Sequence, residues 1–182
     1  MNKLTILTLA AVIFLSCTLD NENDPLEILL KQTTNSKLKE QIKVFRKGGY
    51  QKKPNYKTHD VEAIIKSAES FLGTPHQMGG LTNKGMDCSG LVMVSHQLNH
   101  IMLPHDGNEQ GRFGKIILSV KELERGDLVF FHSTYNTDKL ITHSGIYLGN
   151  NQFIHASAKI GVSKVDINSK YWAEHFLFGT RL

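Results

Sequence analysis

The middle of the chain carries apolar residues at the spacing of amphipathic helices. After a capping residue, Asp60, apolar side chains recur over 61–72, and the pattern ends at Gly73. A glycine-rich connection over 74–86 leads to a second apolar run over 88–99, whose buried side chains are expected to be Leu91, Val92, Val94 or Ser95, and Leu98. The spacing predicts one helix in each run.

Shorter apolar stretches follow, bounded by glycine and asparagine. They predict strands over Asp127–His132, Ile141–Leu148, Gln152–Ser157, Gly161–Ile167 and Phe176–Arg181. Gly126 and the Gly149-Asn150-Asn151 group mark turns between them. Helices first and consecutive strands afterwards indicate an α+β fold with a mostly antiparallel sheet of about five to six strands.

Residues 1–16 have the pattern of an export signal, in which Lys3 precedes an apolar run that ends at Leu15. At about a dozen residues, the run is shorter than the roughly 20 that span a bilayer. Its end, Ser16-Cys17, resembles the lipobox of bacterial lipoproteins, in which the cysteine becomes the lipidated N-terminus. We therefore expect a lipid anchor at Cys17. The alternative is a plain secretory signal in which Cys17 is incidental.

Residues 17–58 are predicted to connect this anchor to a domain over 59–182. An acidic, polar stretch that ends at Asp24 indicates a solvated tether. A short basic helix is predicted from Ser36, a candidate N-cap, to Lys47. Its apolar residues lie at i, i+4 and i+7 and are Leu38, Ile42 and Phe45. This helix could lie on a membrane or on wall polymer, or it could pack on the domain with its basic face in solvent.

The positive charge of the chain is concentrated in one segment. The net charge is +4 and the isoelectric point is near 9.0. Residues 31–58 hold nine Lys or Arg and one acid, whereas residues 59–182 hold 11 basic and 12 acidic residues. Nucleic-acid binding needs a basic surface on the domain itself, so a nucleic-acid partner is disfavoured.

Cys88 lies where the glycine-rich connection becomes a helix. If Cys17 is acylated, Cys88 has no disulfide partner, because the chain has only two cysteines. A thiol at a helix start faces unpaired N–H groups and the positive end of the helix dipole, which favour the nucleophilic thiolate. The alternative is a small, buried, inert hydrophobic residue.

His143 and His155 lie on consecutive predicted strands and are candidates for the base that a nucleophilic cysteine needs. A hairpin loop with an odd number of residues, such as Gly149-Asn150-Asn151, would place both imidazoles on one face as diagonal neighbours. A two-residue loop would place them on opposite faces, as two structural histidines. On one face, the second histidine could orient the first, as in a catalytic triad.

A series of short motifs runs from about Val61 to the C-terminus. They are Gly73-Thr74-Pro75, Gly79-Gly80, Asp87-Cys88-Ser89-Gly90-Leu91-Val92, Leu103-Pro104, Gln110, Gly126-Asp127-Leu128-Val129-Phe130-Phe131, His143-Ser144-Gly145-Ile146-Tyr147-Leu148-Gly149-Asn150, Phe153-Ile154-His155-Ala156-Ser157 and Tyr171-Trp172. In this order and spacing, they resemble the NlpC-type murein peptidases, which are papain-like cysteine endopeptidases of bacterial cell walls.

The resemblance implies that Cys88 is the nucleophile, His143 the general base and His155 the polar residue that orients it. It also implies that Asp87 and Ser89 receive the free amine of a stem peptide. Two positions depart from the family. His76 stands where a tyrosine usually contacts the active site, and we include it among the substrate-binding residues. His105 stands where an arginine is frequent, and no role is assigned to it.

The protein expected from this resemblance is an envelope-anchored endopeptidase that cuts peptidoglycan stem peptides between γ-D-glutamate and the diamino acid. We expect a monomer with no metal, organic cofactor or nucleic acid, held by Cys17 in the outer membrane and facing the periplasm. One alternative is an amidase or acyltransferase on the same fold, and another is an inactive wall-binding lipoprotein. His96 and His100 have a zinc-binding spacing but no evident third ligand, so we expect surface or half-buried helix residues.

Overall fold

Helices come first along the chain and most strands follow in this computed structural model, which describes residues 23–182. The helices are α1 (Pro25–Gln32), α2 (Ser36–Lys47), α3 (Val61–Glu69), α4 (Cys88–Gln97), α5 (Gly107–Gln110) and α6 (Lys170–His175). The strands are β1 (Leu81–Thr82), β2 (Gly85–Met86), β3 (Lys115–Ile117), β4 (Leu128–Phe131), β5 (His143–Gly149), β6 (Gln152–Ser157), β7 (Gly161–Asp166) and β8 (Phe176–Arg181). The predicted export signal and Cys17 lie outside the described residues. Within 23–182, no helix has both the length and the apolar character needed to cross a bilayer.

The main sheet of the described region has six strands in the order β3-β8-β4-β5-β6-β7, and each neighbouring pair is antiparallel. The predicted α+β class with a mostly antiparallel sheet is confirmed. The sequence pattern does not predict β3, because three residues are too few to show an alternation of apolar and polar side chains.

The sheet separates two hydrophobic clusters because successive side chains of a strand point to opposite faces. The larger cluster packs with α3 and α4 and includes Leu128, Phe130, Ile146 and Ile154. The smaller one includes Val129, Phe131, Tyr147 and Phe153, and Trp172 packs against it. The sheet is therefore covered on both faces along β4, β5 and β6.

Helix α1 lies where the sequence analysis expects a solvated tether. Asp24 caps this helix by accepting a hydrogen bond from the Leu26 N–H at 2.9 Å, and its carboxylate pairs with Arg46 of α2 at 2.7 Å. Leu26 is fully buried in the larger cluster. The tether prediction is therefore wrong from Asp24 onward. Full burial of a leucine side chain stabilises a fold by about 1.5–3 kcal/mol, which favours a docked helix.

Helix α2 has the predicted range, but its N-cap is Asn35 rather than Ser36, since Asn35 Oδ1 accepts from the Leu38 N–H at 3.0 Å. Its apolar face is covered, with Ile42 and Phe45 in the core. Arg112 donates to the Phe45 carbonyl at 2.7 Å, and its guanidinium lies 4.4 Å from the centre of the Phe45 ring. Of the two alternatives for the basic helix, packing on the domain is confirmed.

Two predictions about α4 are wrong. The helix ends at Gln97, and Leu98, expected in the core, is 59% exposed. His96, expected at the surface or half-buried, is fully buried. The Nδ1 of His96 lies 2.7 Å from the Val92 carbonyl oxygen, one turn earlier, so one ring nitrogen is satisfied within the helix.

The hairpin between β5 and β6 combines a two-residue turn with a bulge. Asn150 and Asn151 have positive φ values of 51° and 60°, as tight hairpin turns require. The register then shifts: Tyr147 faces Phe153 but Gly149 faces Gln152, which makes Leu148 the extra residue. A plain two-residue turn would put His143 and His155 on opposite faces. The bulge restores the odd count and puts them on one face.

Candidate active site

Cys88 is the first residue of α4, and the loop before the helix fixes its position. Asp87 is the N-cap, with Oδ1 accepting from the Gly90 N–H at 2.7 Å. Among the described residues, the Cys88 N–H has no hydrogen-bond acceptor, as is usual for a first helical residue. Gly90 packs so closely on the Gly80 carbonyl oxygen that a side chain at residue 90 would collide with it. The start of α4 therefore places a thiol beside an N–H group that is free to donate.

Burial raises the pKa of the Cys88 thiol. The backbone N–H of Ser144 lies at the sulfur and lowers this pKa, whereas the charge of Asp87 raises it further, and the net direction is upward. The expectation that the helix start favours thiolate is therefore wrong, because the cost of burying a charge exceeds the effect of the dipole. Cys88 is not in a disulfide within residues 23–182.

His143 and His155 form a hydrogen-bonded pair. Nε2 of His143 lies 2.7 Å from Nδ1 of His155, and the two rings are nearly perpendicular, at 82°. His143 begins β5 and is partly exposed, whereas His155, in β6, is buried. Of the two hairpin geometries that the sequence allowed, the structure has the one with both imidazoles on the same face.

Both imidazoles are neutral at pH 7. Burial lowers the pKa of His143 well below its usual range, and the charges of His155 and His76 lower it further. Burial lowers the pKa of His155 to about 4. If Nδ1 of His143 is to act as a base, its Nε2 must carry the proton that is donated to His155. The remaining ring nitrogen of His155, Nε2, is buried without a partner in residues 23–182.

Ser144 connects Cys88 to His143. It follows His143 on β5, its N–H lies at the Cys88 sulfur, and α4 packs against β5. Within the described region, no hydrogen bond joins the Cys88 sulfur directly to His143. Catalytic hydrogen bonds are often long in unliganded sites and shorten when substrate binds. Nδ1 of His143 is the ring nitrogen that His155 leaves available for this contact.

Trp172 covers the histidine pair. Its ring stacks on His143, with ring centres 5.1 Å apart and an angle of 27°, and stands at 89° to His155 at 4.9 Å. It is the only tryptophan of the chain, and the Tyr171-Trp172 motif supports the family resemblance without predicting this contact with the histidines. An apolar cover lowers the local dielectric and strengthens the hydrogen bond between the two imidazoles.

The carboxylate of Asp87 has four protein partners. Its Oδ1 accepts from the Gly90 N–H and from Ser89 Oγ at 3.1 Å, and lies 2.9 Å from Nε2 of His105; its Oδ2 accepts from the Gly79 N–H at 2.6 Å. Three of the four lie at Oδ1 and one at Oδ2, so one acceptor position of Oδ2 is left. Burial raises the pKa of Asp87, but the hydrogen bond from His105 and those from the two amides outweigh it and lower the pKa. His105, without a role in the sequence analysis, is therefore part of the site.

Gln110 links α4, which begins at Cys88, to β5, which begins at His143. Its Nε2 donates to the carbonyl oxygens of Ser89 and Pro104, both at 2.8 Å. Its Oε1 accepts from Ser144 Oγ at 3.4 Å. The side chain is completely buried. Gln110 is therefore a positioning residue that sets the first turn of α4 against β5.

His76 lies near the histidine pair. A backbone bridge joins it to Met86, and its charge is close enough to lower the pKa of His143. His76 is therefore a titratable group within electrostatic reach of His143.

Among residues 23–182, no group of three or more His, Cys, Asp or Glu side chains is arranged to hold a metal ion. His96 and His100, four residues apart in sequence, do not share a helical face in the way a zinc site needs, because α4 ends at Gln97 and His100 has a φ of +62°.

A comparison with protein families matches residues 73–181 to the NlpC/P60 family. The probable endopeptidase NlpC of Escherichia coli (strain K12) is 37% identical over 134 residues, which cover 71% of this chain and 85% of that protein. The bifunctional muramidase/DL-endopeptidase CwlT of Bacillus subtilis (strain 168) is 41% identical over 117 residues, covering 64% of this chain but only 35% of that protein.

Among solved structures, a protein described as similar to lipoprotein, NLP/P60 family, from Staphylococcus aureus superposes with a TM-score of 0.60 and 35% sequence identity. The match covers 70% of this chain and 43% of that one. The matched family region contains Cys88 on α4 and both histidines of the hydrogen-bonded pair. With this match over more than half of its length, the chain belongs to the NlpC/P60 family.

Proposed function

We propose that the protein is a cysteine endopeptidase of the bacterial envelope that hydrolyses peptide bonds in peptidoglycan stem peptides. The observation that carries the proposal is the hydrogen-bonded pair of His143 and His155 beside the helix start that bears Cys88. Membership in the NlpC/P60 family and the endopeptidase names of the relatives support a peptidoglycan hydrolase.

In the first half of the proposed reaction, the Cys88 sulfur attacks the carbonyl carbon of the scissile bond while Nδ1 of His143 takes the thiol proton. His155 holds the other nitrogen of His143 and so keeps Nδ1 free. The Cys88 N–H stabilises the negative charge that develops on the carbonyl oxygen. Because the thiol pKa is raised and the imidazole pKa is lowered, the proton moves during the attack rather than before it.

In the second half, His143 gives the proton to the leaving amine, and a thioester of Cys88 remains. His143 then removes a proton from water, which attacks the thioester carbonyl and releases the acid product. The sulfur leaves as a thiol when it recovers that proton. Every proton in this scheme is moved by a side chain of the site.

The proposed scissile bond joins γ-D-glutamate to the diamino acid of the stem. The DL-endopeptidase name of the Bacillus subtilis relative supports a bond between residues of opposite configuration. Asp87, Ser89 and His76 are proposed to border the bound peptide. The contact between Asp87 and Ser89 and the electrostatic reach of His76 to His143 support this placement.

We also propose that Cys17 carries the lipid anchor of a monomeric protein on the outer membrane, facing the periplasm. The pattern of residues 1–17 supports export and lipidation. Cell-wall relatives support the envelope as the compartment. Replacing Cys17 by serine and following the protein through membrane fractionation with a high-salt wash tests the anchor: retention of the variant in the membrane would reject it.

Digestion of purified sacculi tests the activity. We expect the protein to release new amino groups and fragments whose masses correspond to cleavage after γ-D-glutamate. Cys88→Ala should fold and release none, while Asn168→Ala, at an exposed position, should behave as the unmodified protein. Fragments of another mass would reject the proposed bond. No release from sacculi, with Cys88 still reactive towards thiol reagents, would favour an amidase or acyltransferase; an inert Cys88 would favour a wall-binding protein.

A further inference from the structure

A polar cleft lies between α2 and the loop that joins β4 to β5, residues 132–142. Its volume is about 340 Å³, inside the range of roughly 300–1,000 Å³ typical of small-molecule sites. Its lining includes Asn35, Gln41, Tyr135, Asn136, Thr137 and Lys139. Helix α2 lies outside the residues matched by the family, 73–181, so one wall of the cleft comes from the N-terminal segment of this chain.

Hydrogen bonds hold the two walls in place. Nε2 of Gln41 donates to the carbonyl oxygens of Thr137 and Lys139, at 3.2 and 3.0 Å. Nζ of Lys37 donates to Oδ1 of Asn136 at 3.3 Å. Because the opposite face of α2 is anchored in the core, the cleft is formed before any ligand binds.

The cleft adjoins the active site. Burial raises the pKa of Tyr135, and the nearby charges of Cys88, Asp106 and Asp87 raise it further. Thr142, which also lines the cleft, directly precedes His143 in the chain, so the cleft ends next to the histidine pair. Lys139, which also lines the cleft, pairs with Asp106 at 2.6 Å. A ligand in the cleft would be held next to the Asp87 end of the site.

The lining suits a neutral ligand with hydroxyl and amide groups. Lys37 lies 3.9 Å from Asp138 and Lys139 lies 2.6 Å from Asp106, so each lysine already has a carboxylate partner. Tyr135 is 54% exposed and offers an aromatic face to the C–H groups of a sugar ring. In the described region, four polar groups of the lining lack a protein partner: the side-chain nitrogens of Asn35 and Asn136, Oε1 of Gln41 and the hydroxyl of Tyr135.

A separate observation concerns the amine end of the substrate. Asp87, which the family resemblance assigns to a free peptide amine, already accepts from four protein groups and is 6% exposed. Three of these groups lie at Oδ1 and one at Oδ2, so a cationic amine could reach only the remaining acceptor position of Oδ2, in a carboxylate that is almost completely buried. A stem peptide that is still attached to glycan has no such amine, because its N-terminus is in an amide linkage.

We propose that the cleft between α2 and residues 132–142 binds an N-acetylated sugar of the glycan strand, so that the enzyme acts on stem peptides still joined to glycan in preference to free peptides. The proposal rests on the proposed function. The sugar ring packs on Tyr135, and its hydroxyl and acetamido groups meet the side chains of Asn35, Gln41 and Asn136. The attached peptide then passes Asp87 and reaches Cys88.

The first test compares kcat/KM for a disaccharide-linked tripeptide and for the free tripeptide, which share the scissile bond. We expect the linked substrate to be better by about tenfold. In Tyr135→Ala and Asn136→Ala, this ratio should fall towards one, mainly through a higher KM for the linked substrate. In Asn168→Ala, an exposed asparagine on the turn before α6, the ratio should not change. A ratio of one or less in the unmodified protein, or an unchanged ratio in both cleft variants, would overturn the proposal.

The second test measures binding of the disaccharide alone to the Cys88→Ala protein by NMR titration, with thermal denaturation to verify the fold of each variant. We expect saturable binding that is lost when Tyr135→Ala is added. This readout does not need cleavage, so the two proposals can fail separately. If neither substrate is cleaved, the proposed function is rejected. If the disaccharide does not bind to the folded Cys88→Ala protein, the sugar cleft is rejected.

Discussion

Gln110 donates a hydrogen bond from Nε2 to the carbonyl oxygen of Ser89 at 2.8 Å, and this bond ties the first turn of α4, which bears Cys88, to the rest of the site. The same amide group also holds Pro104, and its oxygen accepts from Ser144, which follows the base in sequence. One buried side chain thus links the helix that bears Cys88 to the strand that bears His143.

Gln110→Glu keeps the shape of this side chain but removes both donated hydrogen bonds. We expect kcat to fall more than KM changes, because the attack geometry is disturbed and the binding surface is not. Leaving buried carbonyl groups without donors should also lower the free energy of unfolding by about 1–3 kcal/mol. Steady-state kinetics and urea denaturation measure the two effects, with Gln97→Glu, exposed at the end of α4, as the control. Unchanged kcat in a destabilised Gln110→Glu protein would limit this residue to a structural role.

Substitutions of His155 should separate its orienting role from simple packing. His155→Ala should lower kcat strongly with little change in KM, because Nε2 of His143 loses its acceptor. His155→Asn should retain more activity than His155→Gln, since Oδ1 of asparagine reaches about as far as Nδ1 of histidine. Equal losses in the alanine and asparagine variants would show that the hydrogen bond does not orient the base.

Alkylation of Cys88 should report the raised pKa of its thiol. In a Cys17→Ser protein, Cys88 is the only thiol, and iodoacetamide should modify it more slowly at pH 7 than it modifies free cysteine, whose pKa is about 8.5. The rate should rise as the pH enters the alkaline range. Faster labelling than free cysteine at pH 6 to 7 would instead indicate a thiolate stabilised by the start of α4.

The acid limb of the pH profile of kcat/KM should shift when His76 is replaced. The reaction needs neutral His143, which is lost as the pH falls through its lowered pKa, and the charge of His76 contributes to that lowering. In His76→Gln, the pKa of His143 should rise and the limb should move to higher pH, by less than about one unit because burial is the larger cause. His100→Gln, at an exposed position, is the control. An acid limb that does not move would remove His76 from the site.

Mild acid should destabilise the fold through its buried histidines. His96 and His155 have pKa values of about 4 in the folded protein, against about 6.5 in an unfolded chain. The unfolded chain therefore binds more protons between these values, so stability is complete above pH 6.5 and is lost as the pH falls towards 4. Each group accounts for roughly 3 kcal/mol over this range. Urea denaturation at pH values from 7 to 4 measures this loss. The free energy of unfolding should decrease less in His96→Leu than in His100→Leu, and equal decreases would contradict the contribution of His96 to the acid sensitivity.

The sequence predicts those elements whose signals are local. Asp60 and Gly73 bracket the apolar run of α3, and glycine and asparagine separate the strands, so these elements are found within a few residues. Helix α1 escapes prediction because it has only eight residues and follows acidic ones. Its stability comes from Leu26 in the core and from the pairing of Asp24 with Arg46, both of which depend on residues distant in sequence.

For the candidate site, too, the sequence predicts what local motifs determine and misses what depends on contacts between distant residues. The motifs identify Cys88, His143 and His155 as candidate site residues. Whether the two imidazoles can form a hydrogen bond depends on the bulge at Leu148, which no local sequence pattern predicts. The direction of the Cys88 pKa depends on burial by elements far along the chain, so helix position alone predicts it wrongly. The contact of His105 with Asp87 likewise arises from folding the loop after α4 back onto the start of that helix.

The bulge at Leu148 makes the geometry of one hairpin a condition for pairing the two imidazoles. With the two-residue turn and the bulge kept, loss or gain of a single residue elsewhere between His143 and His155 would move one imidazole to the other face of the sheet, whereas a change of two would return it. Loss of Leu148 itself would remove the bulge and leave Tyr147 opposite Phe153, so both imidazoles would stay on one face. Outside the bulge, insertions and deletions compatible with the pair should therefore come in even numbers. In a related chain, the parity of the residue count, together with the presence or absence of the bulge, then decides whether the two histidines can share a proton.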